Sequence, residues 1–489
     1  MKTTASDYRH RVMSCWLGKA VGGTLGQPYE GYDGPLDLTF YDPVPTDMIP
    51  NDDLDLQVLW ACVLDKMSVP VIDRDVFADA WRDHVAFPWD EYGIAIRNLR
   101  SGLRPPYTGI YDNWFVDGLG AAIRSEIWAC LAPGQPELAA QYACEDAVVD
   151  HRGDGIHAEM FLAALESAAF GTSDIEKLLD TGLSVIPSDC RLARAIAATR
   201  KWCREDHDPE TVRKRIMTEW GNQNFTDVVM NLPFVVMALV LGNGDFGRTI
   251  CMAVNCGGDA DCTGATAGAV MGIAFPDRIG ENWLRPIGRK LVINDGITGI
   301  TPPATLDGFT DLIVSLRERV TLRPAAAAPS PEPDYRRLAI PAEAGLFRPW
   351  VRQDDGRTPP RFPAKTEKIT LPGFFNTIPA APIPLNALYM IRIKFWTPTA
   401  RKVRFMLNSS ANNRAWLDGA FVLGRENGRM APSFHRAPIN QYKDWELTAG
   451  EHELLLGLAP NAKEKEISWV FGFGNASDKQ WVTDFEFHS

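Results

Sequence analysis

The chain has 489 residues, 45% hydrophobic and 23% charged, which excludes a disordered or fibrous protein and is long enough for two or more domains. Its 62 acidic residues outweigh 50 Lys and Arg, and the formal charge of −12 excludes a general nucleic-acid binder held by phosphate contacts. The longest apolar stretch, residues 232–241, contains Pro233 and is half the length of about twenty residues that a membrane span requires.

The N-terminus lacks the apolar run of a secretory signal. Nine cysteines, all between Cys15 and Cys262, show no short regular spacing. A reduced, cytoplasmic protein with no membrane or nucleic-acid partner is expected; the oligomeric state is left open.

Residues 1–322 read as a succession of helices. Apolar positions recur at three- and four-residue spacings over 137–149, 157–170, 191–204, 209–220, 263–274 and 306–320, separated by Gly, Pro, Asn and Asp loops. Gly242-Asn-Gly244-Asp-Phe-Gly247 matches a dinucleotide fingerprint, but the preceding apolar run is helix-length, so a glycine-capped helix–helix loop is expected. From Pro324 to Pro363 nine prolines fall in forty residues, and residues 323–363 are expected to be a linker or strap without helix or interior strand. Beyond it the period becomes two: Tyr389, Ile391, Ile393 and Phe395 alternate, as do Val403, Phe405 and Leu407, and Leu454, Leu456 and Leu458. With 467–473 and 481–487, about eight short strands predict an all-β jelly-roll or β-sandwich domain over 364–489.

The chemistry is carried by carboxylates. Asn51-Asp52-Asp53 lies between a Pro-rich loop and a helix at 54–66, and Gly257-Gly-Asp259-Ala-Asp261-Cys262-Thr263 again opens a helix. Acidic residues at helix N-termini also act as caps, each worth about 0.3–1 kcal/mol. Paired aspartates in tight loops are, however, the layout hard divalent cations require: Mg²⁺ takes six oxygens in octahedral geometry. Gathered carboxylates repel by roughly 4 kcal/mol per pair at about 4 Å in an effective dielectric of 20, a cost that a bound cation removes. There is no G-x-S-x-G elbow, P-loop or C-x-x-C pair, and Cys251, Cys256 and Cys262 have no nearby His, which argues against zinc.

The order of these motifs resembles the ADP-ribosylglycohydrolase family, which includes the dinitrogenase-reductase-activating glycohydrolase. Gly18-Lys-Ala-Val-Gly22-Gly-Thr-Leu-Gly26-Gln-Pro-Tyr-Glu30 is similar to its first glycine-rich helix and glutamate. Asn51-Asp52-Asp53 resembles its Thr-Asp-Asp loop, Asp117-Gly118-Leu-Gly120 its phosphate- and ribose-contacting loop, and Asp150-His151-Arg152 its Thr-His segment. Gly257-Gly-Asp259-Ala-Asp261 resembles its Gly-Gly-Asp-Thr-Asp, followed by Gly264, Gly268 and Gly272. The likeness runs over roughly residues 8–300. Trp416-Leu-Asp-Gly419 and the segment after Ala431 look similar to jelly-roll accessory domains of carbohydrate-active enzymes.

The resemblance implies a multidomain protein: an all-α catalytic domain over 1–322, the linker or strap over 323–363, and the β-sandwich. It implies Mg²⁺, one or two ions with Ca²⁺ or Mn²⁺ as alternatives, held by Asn51, Asp52, Asp53, Asp259, Asp261 and Thr263. Asn51 stands at a usual threonine, and Thr263 substitutes for the hydroxyl that Cys262 lacks. Glu30 and Asp53 are the candidates for acid/base catalysis, and Asp117, Gly118, Gly120 and His151 for substrate contact. The expected activity is metal-dependent hydrolysis of an ADP-ribosyl, ribosyl or other furanosyl linkage on a small-molecule or ADP-ribosylated substrate. A non-catalytic ADP-ribose- or carbohydrate-binding protein with a degenerate metal site is the alternative.

Overall fold

The computed structural model describes residues 4–323, 332–347, 357–381, 383–385, 387–426, 428, 430–435, 441–461 and 465–488, which form sixteen α-helices and thirteen strands. Tertiary contacts divide them into a helical unit (residues 4–86, 104–109 and 115–323) and a β-rich unit (residues 87–103, 110–114 and 332–488).

The helical unit is built on Ala5–Gly26 and Ala260–Ala274, the first buried from Val12 onward and the second throughout. Gly18, Gly22 and Gly26 line one face of the first helix; Gly264, Gly268 and Gly272 line one face of the second. A Cβ on Gly22 would stand 1.9 Å from the Gly264 carbonyl oxygen, one on Gly18 2.0 Å from that of Gly268, and one on Gly272 2.0 Å from that of Ser14. The helices therefore run antiparallel with their backbones in contact, which only glycine permits. The end of the first helix thus meets the start of the second, where Gly26 opposes Ala260.

Helix Asp52–Lys66 begins beside them: a Cβ on Gly23 would stand 2.8 Å from Asn51 Nδ2. The glycine loop at 242–247 joins Val228–Leu241 to Phe246–Asn255, whose N-cap is Asp245, so it is a helix–helix connection. The short strands β1 (Val71–Ile72) and β2 (Thr321–Leu322) pair in parallel in this unit. The nine cysteines carry no disulfide, and no helix is long and apolar enough to cross a membrane among the described residues.

The β-rich unit holds β3 (Ile340–Phe347), β4 (Glu367–Leu371), β5 (Phe375–Pro379), β6 (Leu388–Thr397), β7 (Arg401–Ser409), β8 (Asn412–Leu417), β9 (Ala420–Arg425), β10 (Tyr442–Leu447), β11 (Gly450–Ala459), β12 (Glu466–Asn475) and β13 (Glu486–His488). One sheet has the order β10-β7-β12-β5, the other β4-β3-β6-β11-β8-β9 with β13 beside β6, and every pair is antiparallel. Ile391, Ile393, Phe395, Leu454, Leu456 and Leu458 from one sheet share a core with Val403, Phe405, Leu407, Trp469, Phe471 and Phe473 from the other. Alternation along the strands sends these residues inward, as the period of two predicts.

Three sequence expectations need correction. Within 323–363, β3 is an interior strand, paired with β4 and β6. Its Pro341 faces Thr370 of β4, whereas pairing with β6 begins only at Glu343, so the proline's missing N–H interrupts no bond on that side. Residues 324–331 and 348–356 of that stretch lie outside the described residues. Of the strand expected at 481–487 only β13 forms, with Trp481 in an isolated bridge to Gly474. Finally, the β-rich unit takes in helix Asp90–Arg100 from the middle of the segment read as one helical domain. Arg97 there is paired with Asp112 at 3.0 Å and lies 4.6 Å from the Trp481 ring, and Asp112 accepts from the Phe374 and Phe375 N–H groups. An amphipathic period does not reveal whether a helix packs on helices or on a sheet.

Candidate active site

The two acidic loops meet in the helical unit because each begins a helix that docks on Ala5–Gly26. Asn51 caps Asp52–Lys66, its Oδ1 accepting from Asp53 N at 2.8 Å while its Nδ2 donates to Asp261 Oδ2 at 3.4 Å. Gly257 and Gly258 have φ of +72° and +70°, and a Cβ on Gly257 would stand 2.5 Å from the Tyr32 carbonyl oxygen. This left-handed turn lets the loop pair with the segment after Glu30: Gly31 N donates to Gly258 O at 2.9 Å and Gly258 N to Tyr32 O at 2.7 Å. Asn231 Oδ1 accepts from Asp259 N at 3.1 Å.

Asp53, Asp261 and Cys262 each bring one ligand atom within 4.8 Å of the others. Asp53 Oδ2 and Asp261 Oδ1 are buried and have no hydrogen-bond partner among the described residues. Burial raises the pKa of Asp261, and the charges of Glu30, Asp259, Asp53 and Asp52 push it further. Asp52, half-buried, is raised by desolvation and by Asp53, Glu30, Asp55 and Asp259. Six carboxylates thus act on one another, the state that a bound cation relieves. The donor set suits a hard ion: burial and the same aspartates raise the Cys262 thiol, keeping it protonated and a poor substitute for a zinc thiolate.

Several of the expected ligand residues also make bonds within the fold. The Asn51 amide oxygen is engaged as a helix cap. Thr263 donates its hydroxyl to Ala260 O at 3.2 Å, since one further residue turns the side chain by about 100° around the helix. Cys262 lies beside Asp53 and Asp261. Asp55, buried and pushed up to about 7 mainly by that burial, accepts from Asn294 N and Nδ2 and so holds the 294 loop.

The other predicted set lies on the loop at 117–120. Asp117 is half-buried, 3.3 Å from Arg191 Nη1. Gly118 is bridged to Asp227, and the Gly120 carbonyl accepts from Arg124 Nη1 at 2.7 Å. His151 is fully buried, with Nδ1 2.9 Å from Asp150 Oδ1. Only Asp117 of these four is more than marginally exposed. The first turn of Val228–Leu241 connects the two sets: Val228 N donates to Asp117 O, and Asn231 holds Asp259 N.

A model of the ADP-ribosylglycohydrolase family matches residues 4–313, more than half of the chain. The chain belongs to the ADP-ribosylglycohydrolase family. That membership supports a glycohydrolase-type function, a hydrolase activity in general terms. A protein of Archaeoglobus fulgidus described as uncharacterized is 27% identical over 294 residues, 56% of this chain and 90% of that protein. A solved structure described as an ADP-ribosylglycohydrolase-related protein complex is similar at 20% identity and a TM-score of 0.45, covering 64% of this chain and 99% of that one.

Within this member of the family, sequence reading missed a buried polar layer behind the carboxylates. Lys19 Nζ lies 3.2 Å from Asp53 Oδ1 and 2.8 Å from Glu126 Oε1, and Gln57 Nε2 donates to Glu126 Oε2 at 2.7 Å. Burial alone would lower Lys19, but Glu126 and Asp53 outweigh it and hold the ammonium charged. A second network joins Arg124 to Asp146 at 2.8 Å and to both oxygens of Asp150. The signal for Lys19 was present: it is the only charged residue in the otherwise small and apolar run from Met13 to Gly26.

Proposed function

We propose that this chain is a divalent-cation-dependent glycohydrolase that cleaves an ADP-ribosyl, ribosyl or other furanosyl linkage. The observation that carries the reading is the pair of orphaned, buried carboxylate oxygens on Asp53 and Asp261, set among Asp52, Asp259 and Glu30. These aspartates would hold Mg²⁺ or Mn²⁺. When bound, such an ion orients substrate hydroxyls and a water.

The chain's own residues divide the remaining work. Asp53, 1% exposed and ion-paired to Lys19, serves as a ligand rather than a proton carrier. Glu30 is exposed at the same centre and reaches solvent and substrate, so it is the acid/base group. Asp117 and Arg191 offer a hydrogen-bond acceptor and a cation toward the sugar and phosphate groups of a substrate.

The test is a panel of ADP-ribosylated protein, ADP-ribosyl nucleosides and aryl furanosides, with Mg²⁺ and with chelator. Mg²⁺-dependent turnover is expected, with Glu30→Gln losing most of kcat while retaining ion binding. Ion and ADP-ribose binding without turnover of any substrate would favour the binding-protein alternative. A chelator-insensitive melting temperature, with Asp259→Ala behaving like a surface change, would sink the metal reading; a bound ion at a hundred times its Kd adds about 2.7 kcal/mol.

A further inference from the structure

Lys19 is 1% exposed, on the first helix among the buried residues Gly18 to Gly22. Its two acceptors are treated differently by the fold. Glu126 is satisfied on both oxygens, by Lys19 at 2.8 Å and by Gln57 Nε2 at 2.7 Å. Gln57 is itself fixed, donating to Asp53 O at 2.8 Å and accepting from Ile127 N at 2.8 Å. Asp53 receives Lys19 on Oδ1 and keeps Oδ2 unpartnered among the described residues.

We propose that Lys19 is a built-in cation of the carboxylate centre. Its ammonium occupies Asp53 Oδ1, leaves Oδ2 as that residue's ligand atom, and limits the centre to one exchangeable divalent ion. The proposal rests on the reading of the centre as a cation site and adds its stoichiometry and the residue that sets it. Two further features weaken the ligand set in the same direction: Asn51 Oδ1 already accepts from Asp53 N, and Cys262 presents a thiol. A second divalent ion seated on Asp53 would have to share Oδ1 with the Lys19 ammonium, which lies 3.2 Å from that oxygen, and like charges on one oxygen repel. Lys19 is therefore a positioning residue for Asp53.

The experiment counts Mn²⁺ on the full chain by equilibrium dialysis and electron paramagnetic resonance. Wild-type protein is expected to bind one Mn²⁺ with the six-line spectrum of an isolated ion, and Lys19→Arg also one. The double variant Lys19→Met, Glu126→Gln removes the ammonium together with one of its two carboxylate partners, so that only Asp53 is left for an added ion to balance. It is expected to bind two, with an exchange-broadened spectrum. Two ions on the wild-type protein, or one on the double variant, would overturn the proposal. No ion on the wild-type protein would overturn the cation reading beneath it, a result distinct from both. The wild-type count decides the stoichiometry if the variant does not fold.

Discussion

In the helical unit Lys19, Arg124, Glu126, Asp146, Asp150 and Glu159 are all at most 1% exposed, whereas the space between the sheets of the β-rich unit is filled by Ile, Leu, Val, Phe and Trp side chains. Buried charges are costly unless each has a partner, and helices supply them from several directions because side chains radiate around each axis. A sandwich presents only alternate residues of two facing sheets to its interior, and apolar filling is the economical solution. The difference locates the chemistry: the carboxylate centre continues a buried charged layer of the helical unit, whereas the described core between the two sheets is apolar.

The sharpest way to break this comparison is at the glycine contact that brings the acidic loops together. Gly22→Ala puts a methyl 1.9 Å from a backbone oxygen that cannot move without displacing the helix bearing Asp259 and Asp261. More than about 4 kcal/mol of destabilisation in denaturant unfolding, with loss of ion binding, is expected. Tolerance would mean that the two helices are separable.

Next comes Asp150→Asn, which takes from the buried Arg124 one of its two carboxylate partners and is expected to cost about 3–5 kcal/mol at pH 7. Burial pushes Asp150 upward, but Arg124 and His151 more than offset this and bring it to about 2. A depressed folded-state pKa stabilises above the unfolded value near 4 and loses that contribution as pH falls toward 2. The gap between wild type and variant should therefore narrow below about pH 4; a constant gap would show that the pair does not carry the effect.

In the β-rich unit, Phe405→Ala should cost about 3 kcal/mol through a cavity between the sheets. It should leave Mg²⁺ affinity by calorimetry unchanged, and a change in that affinity would contradict the division of labour. The smallest effect expected is from Cys262→Thr. A hydroxyl beside Asp53 and Asp261 should tighten Mg²⁺ several-fold with little change in melting temperature. Weaker binding would mean that this position faces away from the ion.

Much of the architecture was legible because it rests on local periodicity. The runs at 388–397 and 450–459 alternate with period two and became β6 and β11. Asp52, Asp53, Asp259 and Asp261 were legible because two acidic loops each precede a helix. What escaped was set by contacts distant in sequence. Arg97 and Asp112 are ordinary charged residues until Phe374 and Trp481, more than 250 positions away, enclose them. The resemblance implied Asn51 and Thr263 as ligands, but the cap to Asp53 N and the bond to Ala260 O depend on helix phase and capping.

By itself, then, the sequence determined the helical and β-rich regions, the glycine-rich helices and the acidic loops, because hydrophobic period, glycine spacing and cap chemistry act over a few residues. Tertiary structure alone decided that Gly18, Gly22 and Gly26 oppose Gly268, Gly264 and Ala260. It also decided that Lys19 lies on Asp53 rather than in solvent, and that Cys262 meets Asp53 and Asp261. The physical reason is that burial and charge pairing depend on which surfaces close upon each other, and no local pattern encodes the partner.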